Sequence, residues 1–221
     1  MYKTAWSFAQ LAVYRNSLEE KELISALCEG REEAFKELFK LFSDRIYNTA
    51  LSVLQHQEDA EDITQEVFVE VFRSVKNFRQ DASLSTWIYK VTVSKCTDHL
   101  KKSKAKKRFA FLSSLFGDDN DLQHDKPHFE HPGVLMEHKE HSKVLFFALQ
   151  KLPEKQQLAY TLAKIEGLSY AEVAASMGTS VSSVESLLFR ANDNLRSLLS
   201  EYYKNNIQGG ARSLLSFLLT L

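Results

Sequence analysis

Apolar residues recurring every three and four positions, with little to interrupt them, constrain this chain more than any other feature. Between residues 32 and 50, Phe35, Leu38, Phe39, Phe42, Ile46 and Ala50 keep that interval, which lines them along one side of a 3.6-residue helix. Over 58–75 a second stripe joins Ala60, Ile63, Val67, Val71 and Phe72, with Asp59, Asp62, Glu66 and Glu70 mostly opposite. This predicts a helix with one oily face and one acidic face. A third helix, capped by Ser83, carries Leu84, Trp87, Ile88 and Val91 inward and ends in the run 101–108, where six of eight residues are basic. No apolar-polar alternation is long enough to specify a strand, and no internal repeat is present. The fold class that follows is all-α.

The breaks in the pattern divide the chain. Ser17 with Glu20 forms a capping-box sequence opening a short helix that Gly30 can close. Periodicity fails over 109–132, where Gly117, Asp118, Asp119, Asn120, Asp121, Pro127 and Pro132 give a turn-rich, acidic composition. It resumes over 134–149, with Pro153 at a further helix start. Ser169 with Glu172 is a second capping box, Gly178 stops that helix, and Ser180 caps another reaching about 204. The expected organisation is an extension over 1–16, a helical domain over 17–108, a flexible linker over 109–133, a second helical domain over 134–204, and an apolar tail over 205–221.

Composition limits the functions such a chain can have. A net charge of −1 means that nucleic-acid binding must come from a local basic patch, and 101–108 supplies one. Cys28 and Cys96 have neither disulfide-framework nor zinc-knuckle spacing, which fits a reducing cytoplasm. The first sixteen residues lack the run of a signal peptide, and the apolar end over 213–221 is far shorter than the roughly 20 residues that span a bilayer. Leu214, Leu215, Phe217, Leu218, Leu219 and Leu221 are expected to pack rather than stand in water. No phosphate-binding glycine loop, HExxH or nucleophile elbow is present, so no enzyme and no cofactor is expected. His124, His128, His131, His138 and His141 gather in one segment; imidazoles a helical turn apart can share an ion, but no cysteine joins them. The reading taken is a solvated linker without a metal.

The stretch 168–191 has the grammar of a helix-turn-helix: a capped short helix with small Ala174 at its packing point, a turn opening on Gly178, and a second capped helix. Two helices of an ordinary bundle would show the same caps.

Taken together, the residues resemble the extracytoplasmic-function sigma factors. Ala34-Phe35, Asp59-Ala60-Glu61-Asp62, Gln65-Glu66-Val67-Phe68, Phe78-Arg79, Thr86-Trp87-Ile88-Tyr89, Cys96-Thr97-Asp98 and the basic run are similar to their region 2. Leu152-Pro153, Gly167-Leu168-Ser169-Tyr170, Val184-Glu185-Ser186 and Phe189-Arg190-Ala191 are similar to their region 4. The resemblance implies a cytoplasmic protein that directs RNA polymerase to promoters, partnered by the β′ and β subunits, promoter DNA and an anti-sigma factor. Asp59, Asp62, Gln65 and Glu66 would meet the polymerase clamp helices. Phe78, Arg79, Gln80, Trp87, Tyr89, Lys90, Ser94, Lys101 and Lys102 would meet the −10 element, the loop over 78–82 accepting a flipped base. Ser182, Ser183, Glu185, Ser186, Leu187, Phe189 and Arg190 would meet the −35 element, Leu187 by apolar contact. Glu185, Leu187 and Asn192 stand where that family commonly carries Arg or Lys, and Ser94 where it often has Asn. A free-standing helix-turn-helix regulator would account for the second domain but not for the acidic helix or the Thr86-Trp87 segment. A purely structural helical adaptor is the third reading.

Overall fold

The structure, a computed structural model, describes residues 19–116 and 139–206, with side chains over 19–106 and 144–200. Every regular element among the described residues is helical. The first, α1, covers 19–28 and ends at Gly30, whose φ of +78° is the left-handed conformation that a side chain would strain. There the amides of Gly30 and Arg31 donate to Leu27 and Ala26, closing the helix as a Schellman turn. The Ser17 half of the expected capping box lies outside the described residues. Glu20 has another task, accepting a hydrogen bond from the Leu84 amide at the start of α4.

Helices α2 (Glu32–Leu54), α3 (Gln57–Ser74) and α4 (Leu84–Phe116) pack on one another, with a 3₁₀ turn over Val75–Asn77 after α3. Leu38, Ile46, Ile63, Val67, Val71, Ile88 and Cys96 are all at most 2% exposed. Burial of each large apolar side chain contributes about 1.5–3 kcal/mol. Burial also pushes the Cys96 thiol up to about 12, so it is a small apolar residue here. Two members of the expected inward stripes face out instead. Phe39 is 54% and Phe72 61% exposed, because each sits at the edge of its helix's apolar arc. Helix α4 also continues through the basic run to Phe116, past the linker start expected at 109. Nothing in Phe109–Phe116 breaks a helix, and glycine comes only at 117.

The second domain holds α5 (Lys139–Gln150), α6 (Glu154–Tyr160), a π-helical segment (Thr161–Ile165), α7 (Tyr170–Met177) and α8 (Val181–Asn206). Leu149, Leu162, Val173, Val184, Ala191 and Leu195 form its centre, each at most 2% exposed. The buried apolar residues of the two domains form one continuous cluster, because α5, α6 and the π segment touch α2 while α7 lies along α4.

Candidate nucleic-acid interface

Helix α3 begins at His56, whose ring accepts a hydrogen bond from the Asp59 amide. The apolar stripe then fixes which carboxylates face water: Asp62, Gln65 and Glu66 are exposed, and Asp59 is half-buried. Asp59 lies 3.3 Å from His56 Nδ1 and 3.2 Å from His99 Nε2, which tie it to the neighbouring turn and to α4. Glu66 and Glu70 share Lys95 of α4 at 3.5 and 3.9 Å. The expected acidic face is one surface, with Asp62 and Gln65 at its open centre.

Beside it, the loop after the 3₁₀ turn is held by Phe78 stacked on Trp87, ring centroids 4.9 Å apart. Gln80 takes a left-handed φ of +58°, and Arg79 pairs with Asp81 at 3.2 Å in full solvent. Ser83 then caps α4 through the Thr86 amide, the cap read in the sequence. Lys90, Ser94, Lys101 and Lys102 are exposed along α4. Tyr89 is not with them. It is 1% exposed, its hydroxyl donating to Glu166 Oε2 at 2.7 Å and its ring lying under the Arg45 guanidinium. The position expected to meet −10 DNA is therefore covered by the second domain.

In the second domain the capping box is complete: Ser169 Oγ accepts from the Glu172 amide, and the Glu172 carboxylate accepts from the Ser169 amide. Gly178, at φ +62°, ends α7 with bonds from its own amide and that of Thr179 to Ala175 and Ala174. Ser180 Oγ accepts from the Ser183 amide and opens α8. A helix-turn-helix results, with Val184, Leu187, Leu188 and Ala191 turned into the core. Leu187, at 7% exposed, cannot make the apolar base contact expected of it. The interval 184, 187, 188, 191, 195 is the signal that places it inward. Ser182, Glu185, Ser186, Phe189 and Arg190 face out, Ser183 is half-buried, and Phe189 is 75% exposed. Arg190 Nε donates to the Ser186 carbonyl at 3.1 Å, and Ser186 Oγ to the Ser182 carbonyl at 2.9 Å, so both polar groups lie against their own helix.

The residues joining the domains are ones that periodicity does not mark. The last carbonyls of α2 have no partner within their helix; Ser52 and Val53 accept instead from Gln157 Nε2 at 3.0 and 3.3 Å. Gln55 Nε2 donates to the Phe146 carbonyl at 2.7 Å, and Ser176 Oγ to the Thr86 carbonyl at 3.3 Å. Glu166 sits among Tyr89, Arg45 (3.8 Å) and Thr49, and its burial raises its carboxyl above the usual glutamate range. Tyr89 is raised in turn by burial and by the Glu166 charge. No three His, Cys, Asp or Glu among the described residues are arranged to hold a metal. His124, His128, His131 and His138, with the His141 side chain, lie outside the described residues, as does the tail over 207–221.

Comparison with known proteins decides what these two domains are. Residues 38–106 match Sigma-70 region 2, and residues 144–193 match Sigma-70, region 4. The chain belongs to the extracytoplasmic-function branch of the sigma-70 family. It is 28% identical over 178 residues to RNA polymerase sigma-H factor of Pseudomonas aeruginosa, covering 79% of this chain and 91% of that one. To the ECF RNA polymerase sigma-E factor of Escherichia coli K12 it is 26% identical over 176 residues, covering 80% and 92%. The fold is that of CnrH in its complex with the cytosolic domain of CnrY, with TM-score 0.60, 21% identity, and 82% and 97% of the two chains covered. It is also that of the sigma factor RpoE bound to the anti-sigma factor NepR from Bartonella quintana, with TM-score 0.55, 19% identity, and 75% and 96% covered. In this sigma factor region 2 is the body built on α2, α3 and α4, and region 4 ends in the helix-turn-helix of α7 and α8. No helix among its described residues is long and apolar enough to cross a membrane.

Proposed function

We propose that this sigma factor carries core RNA polymerase to promoters through three surfaces. The observation that carries the reading is the pairing, in order, of a region 2 body bearing an exposed acidic helix face with a region 4 ending in a helix-turn-helix. On α3, Asp62, Gln65 and Glu66, with Asp59 at the margin, offer negative charge to a basic partner surface on the polymerase. On the loop and α4, the Phe78–Trp87 stack, Arg79, Gln80, Lys90, Ser94, Lys101 and Lys102 join aromatic faces to phosphate-neutralising charge, the combination that holds an opened strand. On α8, Ser182, Ser186, Phe189 and Arg190 face the major groove at −35, with Ser183 beside them and Glu185 repelling phosphates. The chain works in the cytoplasm and catalyses no reaction itself.

An anti-sigma factor is the expected regulator. A groove of about 730 Å³ between α2 and α3, lined by Phe35, Phe39, Phe68, Val69 and Phe72, lies on the acidic helix and gives an apolar protein segment a seat. A protein bound there would block the polymerase-facing surface. The test is to map transcript starts after overexpression. The reading expects new starts sharing one pair of upstream elements, and starts without a shared pair refute it.

A further inference from the structure

We infer that the residues before α1, 1–18, dock in a cleft between α1, α2 and the start of α4, and that this brace sets the −10 loop. The docking stands by itself, whereas its effect on promoter reading rests on the function proposed above. The cleft, of about 740 Å³, has Leu23, Phe42 and Leu84 in its floor and Leu41, 51% exposed, at its edge. Exposed Glu19, Glu22, Glu33 and Glu37 and half-buried Glu20 line it as well. Arg31 is the one cation among the lining residues, and its Nε already donates to Glu29 at 2.7 Å. The helix dipole accounts for Glu33, in the first turn of α2, but not for Glu37 a turn further in. Such a surface fits an apolar segment that brings positive charge and no negative charge.

The chain itself supplies that segment. Leu18 is bonded to Glu19, a lining residue, so the preceding chain enters at the rim of the cleft. Its sequence holds Tyr2, Trp6, Phe8, Leu11, Val13 and Tyr14, with Lys3 and Arg15 and no acidic residue. At about 3.3 Å per residue, Arg15 can reach ~13 Å from Glu19, which sets it among the carboxylates, and the residues before it can bring a ring onto Leu41. Glu37 and Leu41 each follow Phe35 and Phe39 by two positions, about 200° around α2, so the docked segment leaves the phenylalanine groove beside α3 open. The far wall of the cleft is Leu84 and Ser85, the first turn of α4, which the loop over 78–82 and the Ser83 cap lead into. Glu20, accepting from the Leu84 amide, ties α1 to that turn. A segment that fills the cleft holds α1, α2 and the start of α4 together, and so fixes the point from which the −10 loop springs.

The docking is tested on the full-length protein with p-benzoylphenylalanine in place of Phe8, irradiated, digested and mapped by mass spectrometry. Adducts should form within the molecule, on the peptides carrying Leu23, Leu41 or Leu84. Glu22→Lys with Glu37→Lys, both exposed and outside the polymerase and DNA surfaces, should lower their yield at least fivefold. Adducts only on the phenylalanine groove, only on region 4, only between molecules, or none at all overturn the docking. So does a yield that the double reversal leaves unchanged. For the effect on the −10 loop, the double reversal, and separately deletion of residues 1–16, should keep core-polymerase binding within twofold and lower run-off initiation at least fivefold. Natural initiation by both variants, with cleft adducts in the full-length protein, overturns the brace as a part of promoter reading. Cleft adducts in a natural protein that gives no promoter-dependent initiation support the docking and refute the functional reading; initiation without cleft adducts does the reverse.

Discussion

Region 2 and region 4 complete their cores differently. Region 2 buries Leu38, Ile46, Ile63, Val67 and Ile88 among its own three long helices and still leaves an acidic face and a row of phenylalanines in solvent. Region 4 sets short elements around one long helix, α8: α6 continues only as a π segment, α7 has eight residues, and both lean on region 2. A domain of about 60 residues buries only about 60% of its unfolded surface, so an external wall is worth much to it. One region is a self-sufficient platform, whereas the other gains part of its stability by docking.

The comparison is broken most forcefully by emptying each core in turn. Leu38→Ala in region 2 and Leu195→Ala in region 4 should each cost about 2–5 kcal/mol, since both side chains are essentially inaccessible. By scanning calorimetry Leu38→Ala should lower the melting of both regions, whereas Leu195→Ala should lower that of region 4 and leave region 2 melting near its original temperature. Equal losses in both regions from either substitution would mean that region 2 is not self-sufficient.

Charge reversal on the platform comes next. Asp62→Lys with Glu66→Lys should weaken core-polymerase binding at least about tenfold, or about 1.4 kcal/mol, with thermal stability nearly unchanged because both are exposed. Equal affinity with native helicity would remove the polymerase assignment from α3.

A smaller effect sharpens the region 4 side. Ser169→Ala removes the hydroxyl half of the capping box and should cost about 1 kcal/mol. Its consequence should be weaker −35 binding with core binding intact, measured on the same protein.

The smallest effect is a pH dependence of the docking itself. Burial raises the Glu166 carboxyl, so the docked arrangement of the two regions binds its proton more tightly than an exposed glutamate would. Its stabilising share is fully present below the ordinary value of 4.5 and is lost as pH rises through the raised one. Arg45 and Tyr89, the groups facing it, oppose the shift without reversing it. Lys104 of α4 and Glu154 of α6 touch at 2.8 Å across the two regions, and the yield of the carbodiimide cross-link between them should therefore decline with rising pH more steeply in the natural protein than in Glu166→Gln. Parallel profiles would show that this carboxyl does not titrate with docking.

What the sequence shows and what it hides follow the same division. Caps and stops are local chemistry, so Ser83, Ser169 with Glu172, Gly178 and Ser180 announce their helix ends before any coordinates. Stripe positions are legible where the arc is narrow, as at Ile63 and Val67, and fail at its edge, as at Phe39 and Phe72. Leu187 was readable: its interval with Val184, Leu188 and Ala191 is that of a core residue, against the exposed role that its family position implies. The interdomain contacts were not readable. Gln55, Gln157 and Ser176 are polar residues paired with backbone carbonyls some 90 to 105 positions away, and a helical period carries no record of such partners. Tyr89 hides for the same reason, since its burial is made by Glu166 of the other region.

Run-off transcription with purified core polymerase, the full-length protein and a template from a mapped start tests the central claim most directly. Initiation should depend on the added chain and on both upstream elements, fall on Arg190→Ala, and fall further on the Asp62→Lys, Glu66→Lys pair. Core that gains no promoter-dependent initiation from the folded protein on its own mapped templates would contradict the account.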